Sequence, residues 1–239
     1  MSQGQERAPQ ERMLGGLQTL VVPGEPGGLV VAMLHGFGAD AWDLLPLADA
    51  VPAPPGTTWL FPHAPHEVEI GPHMTGKAWF PIDLMALQLA MMSGRTRDLA
   101  QDAPPALAVS RQMVAQMIAD FGAELSRTVL AGFSQGAMTA TSLAMHADQA
   151  PTGLAILSGT LIEAPQWRQL APQRKGLRYM QSHGRQDPML GFAAAESLHQ
   201  LLQSAGWQGE FVAFGGGHEI PGSALRALAE LLKTCQPAN

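Results

Sequence analysis

RTVLAGFSQGAMTATSLAMH, residues 127–146, reads as an apolar strand that ends at a glycine, turns sharply at a serine and continues at once as a helix. The turn itself is Gly132-Phe133-Ser134-Gln135-Gly136. A serine at such a strand-to-helix turn needs an unusual backbone conformation. Small residues two before and two after it keep the doubled-back chain from clashing. The turn lifts the hydroxyl above the sheet and points a helix N-terminus at whatever that hydroxyl attacks. The alternative is a glycine-rich turn with no chemistry. The strand before it and the helix after it favour a nucleophile.

Outward from this turn, short apolar runs alternate with longer helical patterns. The strand-like runs are LQTLVV (17–22), LVVAML (29–34), TWLF (58–61), RTVLAG (127–132), GLAIL (153–157), LRYMQS (177–182) and EFVAF (210–214). Several are continuously apolar, as strands covered on both faces must be. Helices are expected at 41–50, at 104–121 with Pro104 and Pro105 in its first turn, from Ser134 to Met145, at 188–204 and at 223–233. Strand followed by helix, repeated, predicts an α/β fold: a mostly parallel central sheet flanked by helices. The first two runs, joined by PGEPGG, predict an antiparallel hairpin at the N-terminal edge. The whole of 1–239 is expected to form one domain.

A serine nucleophile needs a base and an acid, and in sheets of this kind they follow it in the order serine, acid, histidine. Asp148 closes the helix that starts at the turn. Glu163 lies in an irregular stretch, Glu196 within a helix, and Glu210 opens a strand. Asp187 remains, in HGRQDP directly after the strand LRYMQS, where open α/β sheets place their sites. Its competing role is to cap a helix starting at Pro188. Two histidines follow it. His199 falls inside a helix, whereas His218 sits in the loop GGGHE just after EFVAF. The expected catalytic set is therefore Ser134, Asp187 and His218. His218 takes and returns the serine proton, and Asp187 holds the imidazole in the productive tautomer. Two backbone N–H groups are expected to receive the oxyanion: that of Gln135, and that of Phe37 in LHGFG (34–38). His35 is in the wrong order to be the base and is assigned a structural role. Asp40 reads as the N-cap of helix 41–50, assisted by Asp43.

Residues 63–103 differ from the rest, with prolines, histidines, Trp79-Phe80 and a methionine cluster but no periodicity before Leu84. A long irregular stretch in a compact domain signals a functional excursion, here a lid or substrate lining. Trp79, Phe80, Met91 and Met92 are its candidate substrate-binding residues, with core packing as the competing reading. His63, His66, Glu67, Glu69 and His73 cluster in sequence, but prolines interrupt them and the spacing fits no metal motif, so no metal is expected.

With 46% hydrophobic and 14% charged residues the chain has ample core material. Its net charge of -6 disfavours nucleic-acid partners and polybasic docking to anionic membranes. Cys235 stands alone, so no internal disulfide is available, and it is no nucleophile candidate. The polar start MSQGQERAPQERM lacks the apolar core of a secretory signal. No apolar run approaches the roughly 18–20 residues that span a bilayer. The expectation is a soluble, cytoplasmic protein without stable membrane insertion, although one unpaired cysteine is also compatible with export.

LHGFGAD (34–40), WF (79–80), AGFSQGAM (131–138), LSG (157–159), HGRQDP (183–188) and GGGHE (215–219) together resemble the phospholipase/carboxylesterase family, which includes the acyl-protein thioesterases. The resemblance spans most of the chain in the right order. It implies a cofactor-free α/β-hydrolase fold acting on carboxylic esters or thioesters of short to medium acyl chains. It also implies the same triad and the same oxyanion donors. The methionine- and alanine-rich segment after Trp79 is longer than the family's usual loop and leaves substrate preference open. The expected function is a serine carboxylesterase working through an acyl-serine intermediate on a small-molecule ester or thioester. Acyl-protein thioesterase or lysophospholipase activity is the alternative. Acyl transfer to an acceptor other than water uses the same intermediate, and a catalytically silent binding protein would be expected to lack a triad member. The apolar residues of 79–92 suit a homodimer interface as well as a pocket.

Overall fold

The computed structural model describes residues 8–94 and 96–236. Two strands, β1 (Gln10–Leu14) and β2 (Leu17–Val22), open the chain, followed by β3 (Val30–Leu34). Two single-turn helices, α1 (Ala41–Leu44) and α2 (Leu47–Ala50), lead to β4 (Thr58–Pro62). A small hairpin of β5 (His66–Gly71) and β6 (Met74–Ala78) precedes α3 (Leu84–Met92) and α4 (Pro105–Phe121). The C-terminal half then alternates regularly through β7 (Thr128–Phe133), α5 (Gln135–His146), β8 (Gly153–Leu157) and α6 (Ala164–Leu170). It ends with β9 (Arg178–Gly184), α7 (Phe192–Ser204), β10 (Gln208–Phe214) and α8 (Gly222–Thr234).

Eight strands form one sheet in the order β1-β2-β4-β3-β7-β8-β9-β10. Strands β4, β3, β7, β8, β9 and β10 run parallel in it, and β1 and β2 form an antiparallel edge. This is the α/β-hydrolase fold expected from the sequence. Alternation within each run explains why the central strands read as continuously apolar. Val30, Ala32 and Leu34 of β3 face one core, Val31 and Met33 the other. Helices α4, α5 and α7 cover the first face through residues such as Val114, Leu143 and Leu198. Helices α1 and α8 cover the second with Ala41, Leu44, Leu228 and Leu232. Helix α5 is buried along nearly its whole length, so its hydrophobicity lies all round, not on one stripe.

Three local expectations are corrected. The runs 17–22 and 29–34 do not pair with each other. β4 lies between them, antiparallel to β2 and parallel to β3, and β2 instead makes its hairpin with β1. That hairpin turns on Gly15-Gly16, both at positive φ, as a two-residue turn matched to strand twist requires. The helix expected at 41–50 is two separate turns, because Pro46, which lacks an N–H, interrupts it. The helix expected from Pro188 starts at Phe192, after Gly191 as its N-cap. Within α1, Asp40 and Asp43 do form the reciprocal capping box.

Candidate active site

The turn after β7 is built as its glycines demand. Ser134 has φ 54 and ψ -117, and its N–H donates to Leu157 O at 2.8 Å. A Cβ on Gly132 would lie 2.4 Å from the Gly136 backbone, and one on Gly136 would lie 2.2 Å from Leu34 O. Neither position admits a side chain. The turn of β3 into His35-Gly36-Phe37 passes directly beside the serine, since a Cβ on Gly36 would be 3.4 Å from Ser134 Cβ.

Asp187 and His218 meet over the ends of β9 and β10. His218 Nδ1 and Asp187 Oδ2 are 2.6 Å apart, and the His218 ring packs on Phe133, the neighbour of Ser134, at 4.8 Å between centroids. The loop that carries His218 is held by Gln186 N–H donating to Gly216 O at 3.0 Å. A Cβ on Gly184 would strike Gly217 O, so that close approach also needs glycine. Asp187 does not cap α7. Its Oδ1 accepts from Met189 N–H at 2.8 Å and Leu190 N–H at 2.9 Å. Burial alone would raise its carboxyl, but hydrogen bonds from His183 and His218, the charge of His218 and the Leu190 N–H together hold it well below the usual carboxylate range.

Beside Ser134 opens a cavity of about 130 Å³, lined by Phe37, Phe80, Leu87, Met138, Ile162 and Leu190 among others. Arg97 and Asp102 also border it, 3.2 Å apart as an ion pair. Of the four expected substrate-binding residues, Phe80 reaches this cavity. Trp79 does not. It is fully buried in the core, with its indole N–H donating to His35 O at 2.8 Å, and large aromatics with a satisfied N–H are core material. Met92 is 86% exposed on α3 and points to solvent rather than to the cavity. The side chain of Met91 lies outside the described residues.

His35 is neutral by construction. Burial, with the neighbouring His63 acting in the same direction, lowers it to about 4, against opposing effects of the Gly36 carbonyl, Asp40 and Asp43. Among the described residues no three His, Cys, Asp or Glu side chains gather as a metal site. In the sequence cluster at 63–73, His63 instead follows β4, its N–H donating to Gln18 O at 2.8 Å, and the others are spread along the β5–β6 hairpin, where Glu67 pairs with Lys77 at 3.3 Å.

Four positions have roles that the sequence reading did not single out. His183, four residues before Asp187, approaches its Oδ2 at 3.3 Å through Nε2 and also bonds Leu190 O at 2.9 Å. The i, i+4 spacing in HGRQD was the available signal. Glu163 is buried at φ 46 and accepts from Ser142 Oγ (2.6 Å) and Trp167 Nε1 (3.0 Å), with Arg111 at 3.6 Å. Its own N–H donates to Asp102 O, and Ala164 N–H to Ala100 O, which fastens the far end of the 63–103 excursion to the start of α6. Ser158 Oγ donates to Glu219 O at 3.1 Å, next to His218. The side chain of Gln135 accepts from Trp79 N–H at 2.8 Å and donates to Phe80 O at 2.6 Å.

The phospholipase/carboxylesterase family model matches residues 17–236. A probable carboxylesterase of Oryza sativa subsp. japonica is 30% identical over 211 residues, which cover 85% of this chain and 76% of the relative. Among solved structures, a carboxylesterase from Mesorhizobium loti superposes with a TM-score of 0.72 at 18% identity, covering 94% of this chain and 98% of the other. Acyl-protein thioesterase 2 of Zea mays does so with 0.66 at 23%, covering 91% and 98%. At these identities the structural likenesses speak to the fold.

Proposed function

The chain belongs to the phospholipase/carboxylesterase family and is a hydrolase of carboxylic esters, and from that premise we propose that Ser134, His218 and Asp187 carry the reaction through an acyl-serine intermediate. The observation that carries this reading is the 2.6 Å contact of His218 Nδ1 with the buried Asp187, its ring resting on the residue beside the serine. A carboxylate that stays ionised keeps the proton of neutral His218 on Nδ1 and leaves Nε2 as the base. Nε2 takes the proton of Ser134 as Oγ attacks the ester carbonyl carbon. The oxyanion is received by the N–H groups of Gln135 and Phe37. Gln135 is the first residue of α5, so no intrahelical acceptor competes for its N–H. The C–O bond to the leaving alcohol breaks as His218 returns the proton to it. Water, deprotonated by the same imidazole, then releases the acid.

The cavity indicates the acyl group. At about 130 Å³ it approaches the roughly 150 Å³ apolar cavity that accepts benzene. Acyl chains up to about that bulk fit, which supports short- to medium-chain esters as the substrates.

The test is turnover of p-nitrophenyl esters from acetate to dodecanoate, with matching thioesters, by wild type and Ser134→Ala. Wild-type turnover that falls by about 10³-fold or more in the variant is expected. Equal turnover by both proteins, or failure of a fluorophosphonate to label Ser134, would refute the assignment.

A further inference from the structure

His35 does more than fill the core beside the serine. It is fully buried, and each ring nitrogen has one backbone partner. Ala64 N–H points at Nε2 from 3.0 Å, and a backbone N–H can only donate, so Nε2 carries the lone pair. The proton is therefore on Nδ1, which donates to Gly36 O at 2.7 Å. That carbonyl and the N–H of Phe37 belong to one planar trans peptide and point in opposite directions. Fixing the oxygen toward the interior fixes the N–H away from it. Among the described residues no protein acceptor takes the Phe37 N–H, and Phe37 borders the cavity together with Ser134.

The rest of the loop is held by bonds that do not set this plane. Trp79 Nε1 donates to His35 O, and Gly38 N–H to Lys77 O at 2.8 Å. Among the described residues the only other hydrogen bond to Gly36 O is a long 3.4 Å one from Ala39 N–H within the turn. Trp79 also reaches the second oxyanion residue, because its N–H donates to the Gln135 side chain.

We propose that His35 is a positioning residue: its Nδ1–H turns the Gly36–Phe37 peptide so that the Phe37 N–H is aimed at the substrate carbonyl oxygen. This rests on the reading of Phe37 as an oxyanion donor. It predicts that the two halves of the imidazole are unequal in function although both are bonded. An asparagine amide overlays Nδ1 and can still donate to Gly36 O. A glutamine amide reaches toward Nε2, keeps the Ala64 bond and leaves the peptide free to rotate.

The experiment measures kcat and KM of wild type, His35→Asn, His35→Gln and Ser134→Ala on a short-chain ester, with kcat expressed per serine titrated by fluorophosphonate. Removing an oxyanion donor outright costs about 10²–10³-fold in kcat, so a misaimed one should cost about 10–10²-fold. His35→Gln is expected to lose that much in kcat with KM within about two-fold. His35→Asn should stay within about three-fold of wild type, and affinity for a boronic acid transition-state analogue should fall in parallel with kcat/KM. Equal kcat losses in both variants, or losses confined to KM or to the fraction of titratable enzyme, would overturn the proposal. If wild type and Ser134→Ala were equally active, the reading of the site would fail and this inference with it. Should either variant not fold, nitrogen chemical shifts of His35 in the wild type decide. An Nδ1-protonated tautomer is required, and an Nε2-protonated one excludes the mechanism.

Discussion

Acidification should destabilise the protein through His35 in a window where most proteins lose little. The ring is fully buried, both its nitrogens are committed to backbone partners, and its value falls from 6.5 to about 4. Between those two values the unfolded chain binds a proton at this residue and the native chain does not. Unfolding therefore takes up a proton, so acid favours it, and stability rises with pH across the window. Above pH 6.5 both states are neutral and the contribution is complete. As pH falls to about 4 it is lost. At about 1.4 kcal/mol per unit the loss is about 3 kcal/mol, a large part of the stability of an ordinary domain. Asp187 acts elsewhere: a carboxyl held below its usual range weakens the fold only below pH ~3.9. The lowered His63 and His199 contribute in the same direction as His35, but equally to wild type and to a His35→Asn variant. The assay is urea unfolding of both proteins at intervals from pH 7.5 to pH 4. Wild type should lose about 3 kcal/mol more than the variant over that range. Parallel stability curves would refute the premise that the fold excludes a charged imidazole at this position.

Three further outcomes follow from named contacts. Asp187→Asn should lower kcat by about 10³–10⁴-fold with little change in KM, because the amide no longer holds His218 in the productive tautomer; steady-state kinetics on a short-chain ester reads it. Gly136→Ala would bring a methyl against the Leu34 and His35 carbonyls. It should cost about 3 kcal/mol, seen as a melting temperature lower by roughly 10 °C. Arg111→Met removes the cation nearest the buried Glu163 carboxylate; urea unfolding should show a loss of about 3 kcal/mol, and an unchanged midpoint would mean that Ser142 and Trp167 alone satisfy Glu163.

How much of this was legible in the residues depended on how a position is constrained. Strands β7 and β8 were readable because both faces are covered and every residue must be apolar, and the strand-to-helix turn because only glycine fits at 132 and 136. Strand β1 was missed because four of its five residues are exposed. An edge strand in solvent carries QERM as readily as a loop does, and only the Gly15-Gly16 pair marked its turn. β5 and β6 escaped for the same reason: the hairpin stands off the core and carries little apolar pattern. Insertion of β4 between β2 and β3 is a pairing across more than twenty residues, which no local periodicity reports. At the cavity, Trp79 and Phe80 are adjacent and equally hydrophobic, yet one is core and the other lines it. Their difference is made by partners distant in sequence, His35 and Gln135.

The residues around the serine also explain how the fold tolerates backbone strain there. Ser134 and Ser158 are non-glycine residues at positive φ, each costing on the order of 1–3 kcal/mol, and they follow adjacent parallel strands. Both are held by the sheet's own hydrogen bonding continued one step past the strand ends. Ser134 N–H donates to Leu157 O, and Ser158 N–H donates to Ser182 O, so β7, β8 and β9 remain joined through the strained positions. The second serine then uses its hydroxyl to bind Glu219 O, one residue beyond His218. The strain at Ser158 thus has a geometric result: it lets one residue bond both β9, which leads to Asp187, and the loop that carries the histidine. A Ser158 hydroxyl serving only its own turn would not reach across 61 residues of chain to that loop. Ser134, Asp187 and His218, the proposed nucleophile, acid and base, accordingly sit on a single hydrogen-bonded ledge at the ends of the parallel strands, and a shift of one would be felt by the others.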